Sequence, residues 1–110
     1  DFTKAIEAYT RSLTLQPNNP LVLANLANVY NSVGATHFNA GDWNEALSYF
    51  TEASRYAPES TRIMTNIGSA YVNAGNLPMA IESYRRALSL DPSNSEARQH
   101  LAQIEAAGRR

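Results

Sequence analysis

Apolar residues recur along this chain at three- and four-residue intervals, and each run restarts after a Pro-, Asn- or Gly-bearing break. From Thr61 to Asn94 the stretch TRIMTNIGSAYVNAGNLPMAIESYRRALSLDPSN reads as two amphipathic helices joined by a short turn at Asn73-Ala74-Gly75-Asn76. Small and large apolar residues alternate where the two helices must approach closely. Ile67, Gly68 and Tyr71 supply the first helix, and Ala80, Tyr84 and Ala87 the second. Pro92 closes the unit.

The same signals recur upstream. In residues 1–19, Ala5, Tyr9, Ser12 and Pro17 stand at the spacing of Ala80, Tyr84, Ala87 and Pro92. Ile6, Tyr9 and Leu13 fall at i, i+3 and i+7, one face of a helix. This is the second helix of a pair without its first, so Ile6, Tyr9 and Leu13 are candidate contacts for a partner. Asp1 begins inside a repeat, and a longer parent chain is expected.

Asn18-Asn19 supplies turn chemistry, and Pro20 opens the next helix, where its missing N–H is harmless. LVLANLANVY there parallels IMTNIGSAY in the later unit, which would align Asn25 with Asn66. Yet 41 residues separate Ala5 from Ala46, and 34 separate Ala46 from Ala80. We assign the seven extra residues to the tract Asn31–Ala40. Seven residues are close to two helical turns, so the apolar series Leu26, Tyr30, Val33 and Phe38 stays nearly in phase. One long helix from about Pro20 to Asn39 is the favoured reading. The rival is a helix ending at Gly34 followed by a loop, since Gly costs about 1 kcal/mol relative to Ala inside a helix.

Gly41-Asp42 starts the following helix, with Asp42 as N-cap and Glu45 completing a capping box. Trp43, Ala46, Leu47, Phe50 and Ala53 form its packing face, and Pro58 ends it. After Asp91-Pro92-Ser93-Asn94, a last helix carries Ala97, Leu101 and Ile104 at i, i+4 and i+7 with polar residues elsewhere, the make-up of a capping helix. The expected division is residues 1–19 (a half unit), 20–58 (an extended unit), 59–94 (a regular unit) and 95–110 (the cap).

Ile67-Gly68-x-x-Tyr71, Ala80-x-x-x-Tyr84-x-x-Ala87 and Pro92 together resemble the tetratricopeptide repeat family. Met64 stands at the family's Trp position. The resemblance implies an all-α, right-handed superhelical solenoid of antiparallel helix pairs, here about six helices with an extended first helix in the middle unit.

Composition narrows the function. Hydrophobic content of 44% and charged content of 17% in 110 residues suit a folded chain and one small domain. Nine basic against ten acidic residues exert no general pull on nucleic acid or anionic membrane, and neither is expected as a partner. Arg109-Arg110 reads as a solvated helix end. Without cysteine there is neither a disulfide framework nor a thiolate metal site. His37 and His100 lie in different units with no His-x-x-x-His spacing, and no glycine loop precedes a Lys-Ser or Lys-Thr. Ser48 and Ser54 sit inside a helix, and Glu45, Glu52 and Glu59 read as a solvated face. No catalytic residue, cofactor or metal is expected.

Asparagine is the more informative pattern. Asn25, Asn28, Ser32 and Asn39 form one polar stripe, and Arg62, Asn66, Ser69 and Asn73 another. Asn is a weak helix former, so a merely solvated face would more naturally use Glu, Lys or Gln. Its carboxamide offers the donor and acceptor that an extended peptide backbone requires. The alternative is a solvated or interhelical hydrogen-bonding face. NLANVY and NIGSAY also look like the asparagine-ladder repeats of O-linked N-acetylglucosamine transferase. The family resemblance implies that the first helices line a concave groove for peptide segments. Chaperone-binding members clamp a terminal carboxylate there; Asn28 and Asn66 match the clamp's asparagines, whereas its basic positions hold Ala24, Glu96 and His100. A clamp without lysine holds a carboxylate weakly, so recognition of chaperone tails is not expected.

The expected function is non-catalytic binding of a protein or peptide segment, by Asn25, Asn28, Ser32, Arg62, Asn66, Ser69, Asn73 and His100. Phe38 is a second partner contact if the long helix overhangs its neighbours; otherwise it packs on Trp43. Two alternatives stay open: a self-assembling homo-oligomer built through the first helix and the long helix, and an interaction arm of a larger enzyme.

Overall fold

In the computed structural model of this chain, the second, fourth, fifth and sixth helices start where the sequence supplies a side-chain cap. Residues 2–108 are described, and Asp1, Arg109 and Arg110 lie outside them. The elements are α1 (Phe2–Leu15), α2 (Pro20–Asn39), α3 (Trp43–Tyr56), α4 (Thr61–Asn73), α5 (Leu77–Leu90) and α6 (Ser95–Gly108), with no strand among the described residues. They form two compact units, Asp1–Pro58 with α1 to α3 and Glu59–Arg110 with α4 to α6. The fold is all-α, as the sequence predicts.

Four caps are made by side chains. Asn19 Oδ1 accepts from the N–H of Leu21 at 3.0 Å and of Val22 at 3.3 Å. Ser60 Oγ accepts from Ile63 at 3.3 Å, Asn76 Oδ1 from Met79 at 3.2 Å, and Asn94 Oδ1 from Ala97 at 3.0 Å. Each such bond satisfies an otherwise orphaned donor and is worth about 1 kcal/mol. Asp42 departs from the expectation: it begins α3 without a side-chain capping bond. Its carboxylate lies instead 3.5 Å from Nδ1 of His37 at the end of α2.

The turns after α2 and α4 are built alike. Gly41 and Gly75 have φ of 83° and 84°, left-handed values that an L side chain rarely adopts. This lets the Asp42 N–H reach back to the His37 carbonyl at 2.9 Å, and the Asn76 N–H to that of Tyr71 at 2.9 Å.

The long helix is present, and Gly34 lies inside it rather than at its end. Its position explains why glycine is there. A Cβ at Gly34 would sit 2.6 Å from Cδ1 of Phe50, and one at Gly68 would sit 2.7 Å from Cε1 of Tyr84. These two contacts place Gly34 and Gly68 at equivalent points of the two units. From glycine to the C-cap is six residues in both helices, to Ala40 and to Ala74. From N-cap to glycine is 15 residues in α2 but eight in α4. The seven added residues therefore lengthen the N-terminal end of α2, not the tract Asn31–Ala40. Ser32, rather than Asn25, is the counterpart of Asn66. Val33, His37 and Phe38 do not overhang: Phe38 packs edge-on against Trp43 at 5.1 Å between centroids.

In the first unit α1 packs on α2 and α2 on α3, around Leu26, Ala27, Ala46, Phe50 and Ala53. In the second, α4 packs on α5 and α5 on α6, around Ile63, Met64, Ile67, Ala70, Ala80, Tyr84, Ala87 and Ala97. The buried hydroxyls of Thr65 and Ser83 donate to the carbonyls of Thr61 and Met79 at 2.8 and 3.0 Å, so neither is left unsatisfied. No residue of α1 is buried; Ile6, Tyr9 and Leu13 are half-buried.

Candidate functional site

Tyr84 ties the three helices of the second unit together. Its ring lies against the bare backbone of Gly68 on α4, and its hydroxyl shares a 3.0 Å hydrogen bond with Ser69 Oγ. On its other flank the ring stacks on His100 of α6, with centroids 5.4 Å apart and planes 15° from parallel. Nε2 of His100 stands 3.8 Å from Oε1 of Glu96, one turn earlier on α6. One tyrosine thus brings Ser69 on α4 to the neighbourhood of His100 and Glu96 on α6. Asn66 precedes Ser69 by one turn and is half-buried; Arg62, a turn earlier, and Asn73, a turn later, are exposed. His100 keeps 40% of its side chain exposed, so stacking orients it without sealing it.

Burial raises the Tyr84 phenol above its ordinary range, the hydrogen bond with Ser69 lowers it in part, and the Glu96 carboxylate raises it again. The protonated hydroxyl therefore contributes stability that is intact below about pH 10 and is lost as pH climbs through the raised value. Thermal melts should show stability falling above about pH 10 more steeply in the wild type than in Tyr84→Phe.

The first unit carries the same framework with different polarity. Phe50 stands for Tyr84 and Ala35 for Ser69, so the hydroxyl pair of one unit is an apolar pair in the other. Asn28 corresponds to Arg62 and Asn39 to Asn73, and all four are exposed. Ser32 is exposed, while Asn25 sits two turns earlier on the added segment and is half-buried. Polar residues of α2 are exposed at Asn28, Ser32 and Asn39, but the asparagines do not repeat at one register.

Between α2 and α3 runs an aromatic column that sequence reading missed. Tyr30 stacks on Tyr56 at 5.9 Å and on Tyr49 at 6.5 Å, and Tyr49 stacks on His37 at 5.2 Å. The signal was available: Tyr30 and His37 are seven residues apart, as are Tyr49 and Tyr56, so both pairs return to one helical face. Burial, followed by Tyr56 and Glu52, raises the Tyr30 phenol. The rings occupy one another's faces, which makes the column a packing device rather than an open platform.

Elsewhere in the second unit, Leu77, Pro78 and Ile81 of α5 and Ile104 and Ala107 of α6 line an apolar hollow of about 500 Å³. Among the described residues no group of three or more His, Cys, Asp or Glu is gathered to hold a metal ion, and no helix is long and apolar enough to cross a membrane.

One tetratricopeptide repeat profile matches residues 34–95 and 65–110, and a second matches residues 8–48. The small glutamine-rich tetratricopeptide repeat-containing protein 2 of Mycosarcoma maydis is 28% identical over 93% of this chain and 27% of its own length. Among solved structures, the first repeat domain of Spaghetti (RPAP3) bound to the HSP90 peptide SRMEEVD is 27% identical, with a TM-score of 0.65 over 99% of this chain and 81% of that one. The second domain of human RPAP3, in complex with the HSP70 peptide SGPTIEEVD, is 26% identical, with a TM-score of 0.62 over 94% and 81%. The chain spans between 17% and 27% of the length of the first curated relatives it matches.

Proposed function

The chain belongs to the tetratricopeptide repeat family, and from that membership we propose that it is a non-catalytic interaction module whose second unit takes an extended peptide segment on the face shared by α4 and α6. One observation carries the reading: Tyr84 gathers Ser69, His100 and Glu96 from two helices into one polar, partly open surface, with Asn66 a turn from Ser69. An extended backbone presents alternating donors and acceptors, and these side chains offer both. The peptide complexes of the two RPAP3 domains support it, since both relatives hold a short segment. The likeness to asparagine-ladder repeats of O-linked N-acetylglucosamine transferase supports backbone reading at Asn66, but Ser32 takes that rung in the first unit. An interaction arm of a larger enzyme is the same reading with catalysis outside these residues.

Chaperone tails fit this chain less well than they fit its relatives. With α2 registered on Gly34, the clamp positions first matched to Ala24 and Asn28 move seven residues, to Asn31 and Ala35. Asn66 alone remains of the clamp, and no lysine stands among its basic positions.

The test selects heptapeptides from a random phage library on the intact chain, then titrates the winners into Asn66→Ala/His100→Ala. Two lost contacts of about 0.7 kcal/mol each should weaken capture about tenfold with helicity unchanged. Capture as tight as that of the wild type would defeat the proposal. Self-assembly through α1 is the rival reading. It is favoured by Ala5, Tyr9 and Ser12, which stay partly exposed at positions wholly buried in α3 and α5. A strict monomer in light scattering at several concentrations would remove it.

A further inference from the structure

The proposed peptide face of the second unit carries an exposed carboxylate, that of Glu96. Glu96, in the first turn of α6, keeps 64% of its side chain exposed, and the nearest basic atom is Nε2 of His100 at 3.8 Å, beyond hydrogen-bonding distance. It is nonetheless part of the site. It lies one helical turn from His100, whose ring stacks on Tyr84, and its field reaches the Tyr84 hydroxyl on the far side of that stack. The opposing charge on this face is Arg62 on the first turn of α4, also exposed; no ion pair within 4 Å joins the two. The face is thus divided, a cation on α4 and an anion on α6.

We infer that Glu96 is the specificity determinant of this face, selecting segments that carry a Lys or Arg over α6 and turning away those that carry a carboxylate there. The inference rests on the peptide-binding reading above and names the chemistry of the segment taken. A ligand ammonium or guanidinium beside Glu96 gains a charge-assisted contact at an exposed edge, where such pairs are individually modest. A ligand carboxylate meets repulsion of similar size, and the two effects separate otherwise identical segments. Arg62 then favours an acidic or carbonyl-rich stretch on the α4 side of the same segment, which fixes the direction in which it lies.

Parallel phage selections on the wild type, Glu96→Lys and the control Glu82→Lys test this; Glu82 is exposed on α5 and outside the site. Wild-type and Glu82→Lys selections should be enriched in a basic residue at one heptapeptide position, and Glu96→Lys should replace it with an acidic one. For the best wild-type peptide, exchanging that Lys for Glu should weaken binding about threefold to tenfold, with the preference reversed on Glu96→Lys. Peptides that bind all three proteins with the same charge preference would overturn the role of Glu96 while leaving the peptide site standing. Failure of every selection would remove the site itself, and this assignment with it.

Discussion

Gly68→Val should cost the protein about 3 kcal/mol or more, and Gly68→Ala about 1–3 kcal/mol, because either side chain must enter space held by the Tyr84 ring. The nearest ring atom lies 2.7 Å from where the Cβ would sit, and Tyr84 is 1% exposed, so the ring has nowhere to go. Its hydroxyl is also held by Ser69 and its far side by His100. The sign of the alanine result is the informative part. In an open helix interior, Gly→Ala stabilises by about 1 kcal/mol. A stabilised Gly68→Ala in urea denaturation would mean that α4 and α5 do not approach as described.

Phe50→Ala should cost about 3–5 kcal/mol, the range for deleting a fully buried aromatic ring. Phe50 is 2% exposed and lies between Ala46 and Ala53, both wholly buried, with the backbone of Gly34 across from it. The same denaturation experiment yields a coupling. Gly34→Ala alone should destabilise, because its Cβ would fall 2.6 Å from the Phe50 ring. In the Phe50→Ala background that ring is gone, and Gly34→Ala should become favourable by about 1 kcal/mol through helix propensity. Additive behaviour would contradict the contact that sets the register of α2.

Much of this molecule could be read from its residues. Asn19, Asn76 and the glycines at 41 and 75 bound their helices as their chemistry requires, and the heptad argument recovered the 20-residue α2. The site of the added heptad could not be read. Ala27 and Gly34 are both small and seven residues apart, so either satisfies the apolar pattern in the same phase. Only the position of the Phe50 ring chooses between them, and that is a contact between helices, not a property of one. The likeness of NLANVY to NIGSAY pointed to the wrong choice. It aligned Asn25 with Asn66 and moved the extension to the other end of the helix.

Asp42 takes the N-cap position as expected, but its side chain makes no capping bond, for a similar reason. Asp-x-x-Glu at a helix start is a sound capping signal, but His37 across a glycine turn competes for the same carboxylate. In the candidate site, the polar residues of α4 were legible as a stripe, with His100 of α6 named beside them. Their connection was not, because it passes through Tyr84, which reads in sequence as an ordinary core aromatic. The hydroxyl that distinguishes Tyr84 from Phe50 is what links Ser69 to the surface bearing His100.

Backbone and side-chain NMR of the intact chain, titrated with a selected heptapeptide, tests the peptide face most directly. We expect shifts concentrated on Arg62, Asn66, Ser69 and Asn73 of α4 and on Glu96 and His100 of α6, with the Tyr84 ring responding through its stack. Shifts confined to Leu77, Ile81 and Ile104 around the α5/α6 hollow would contradict it.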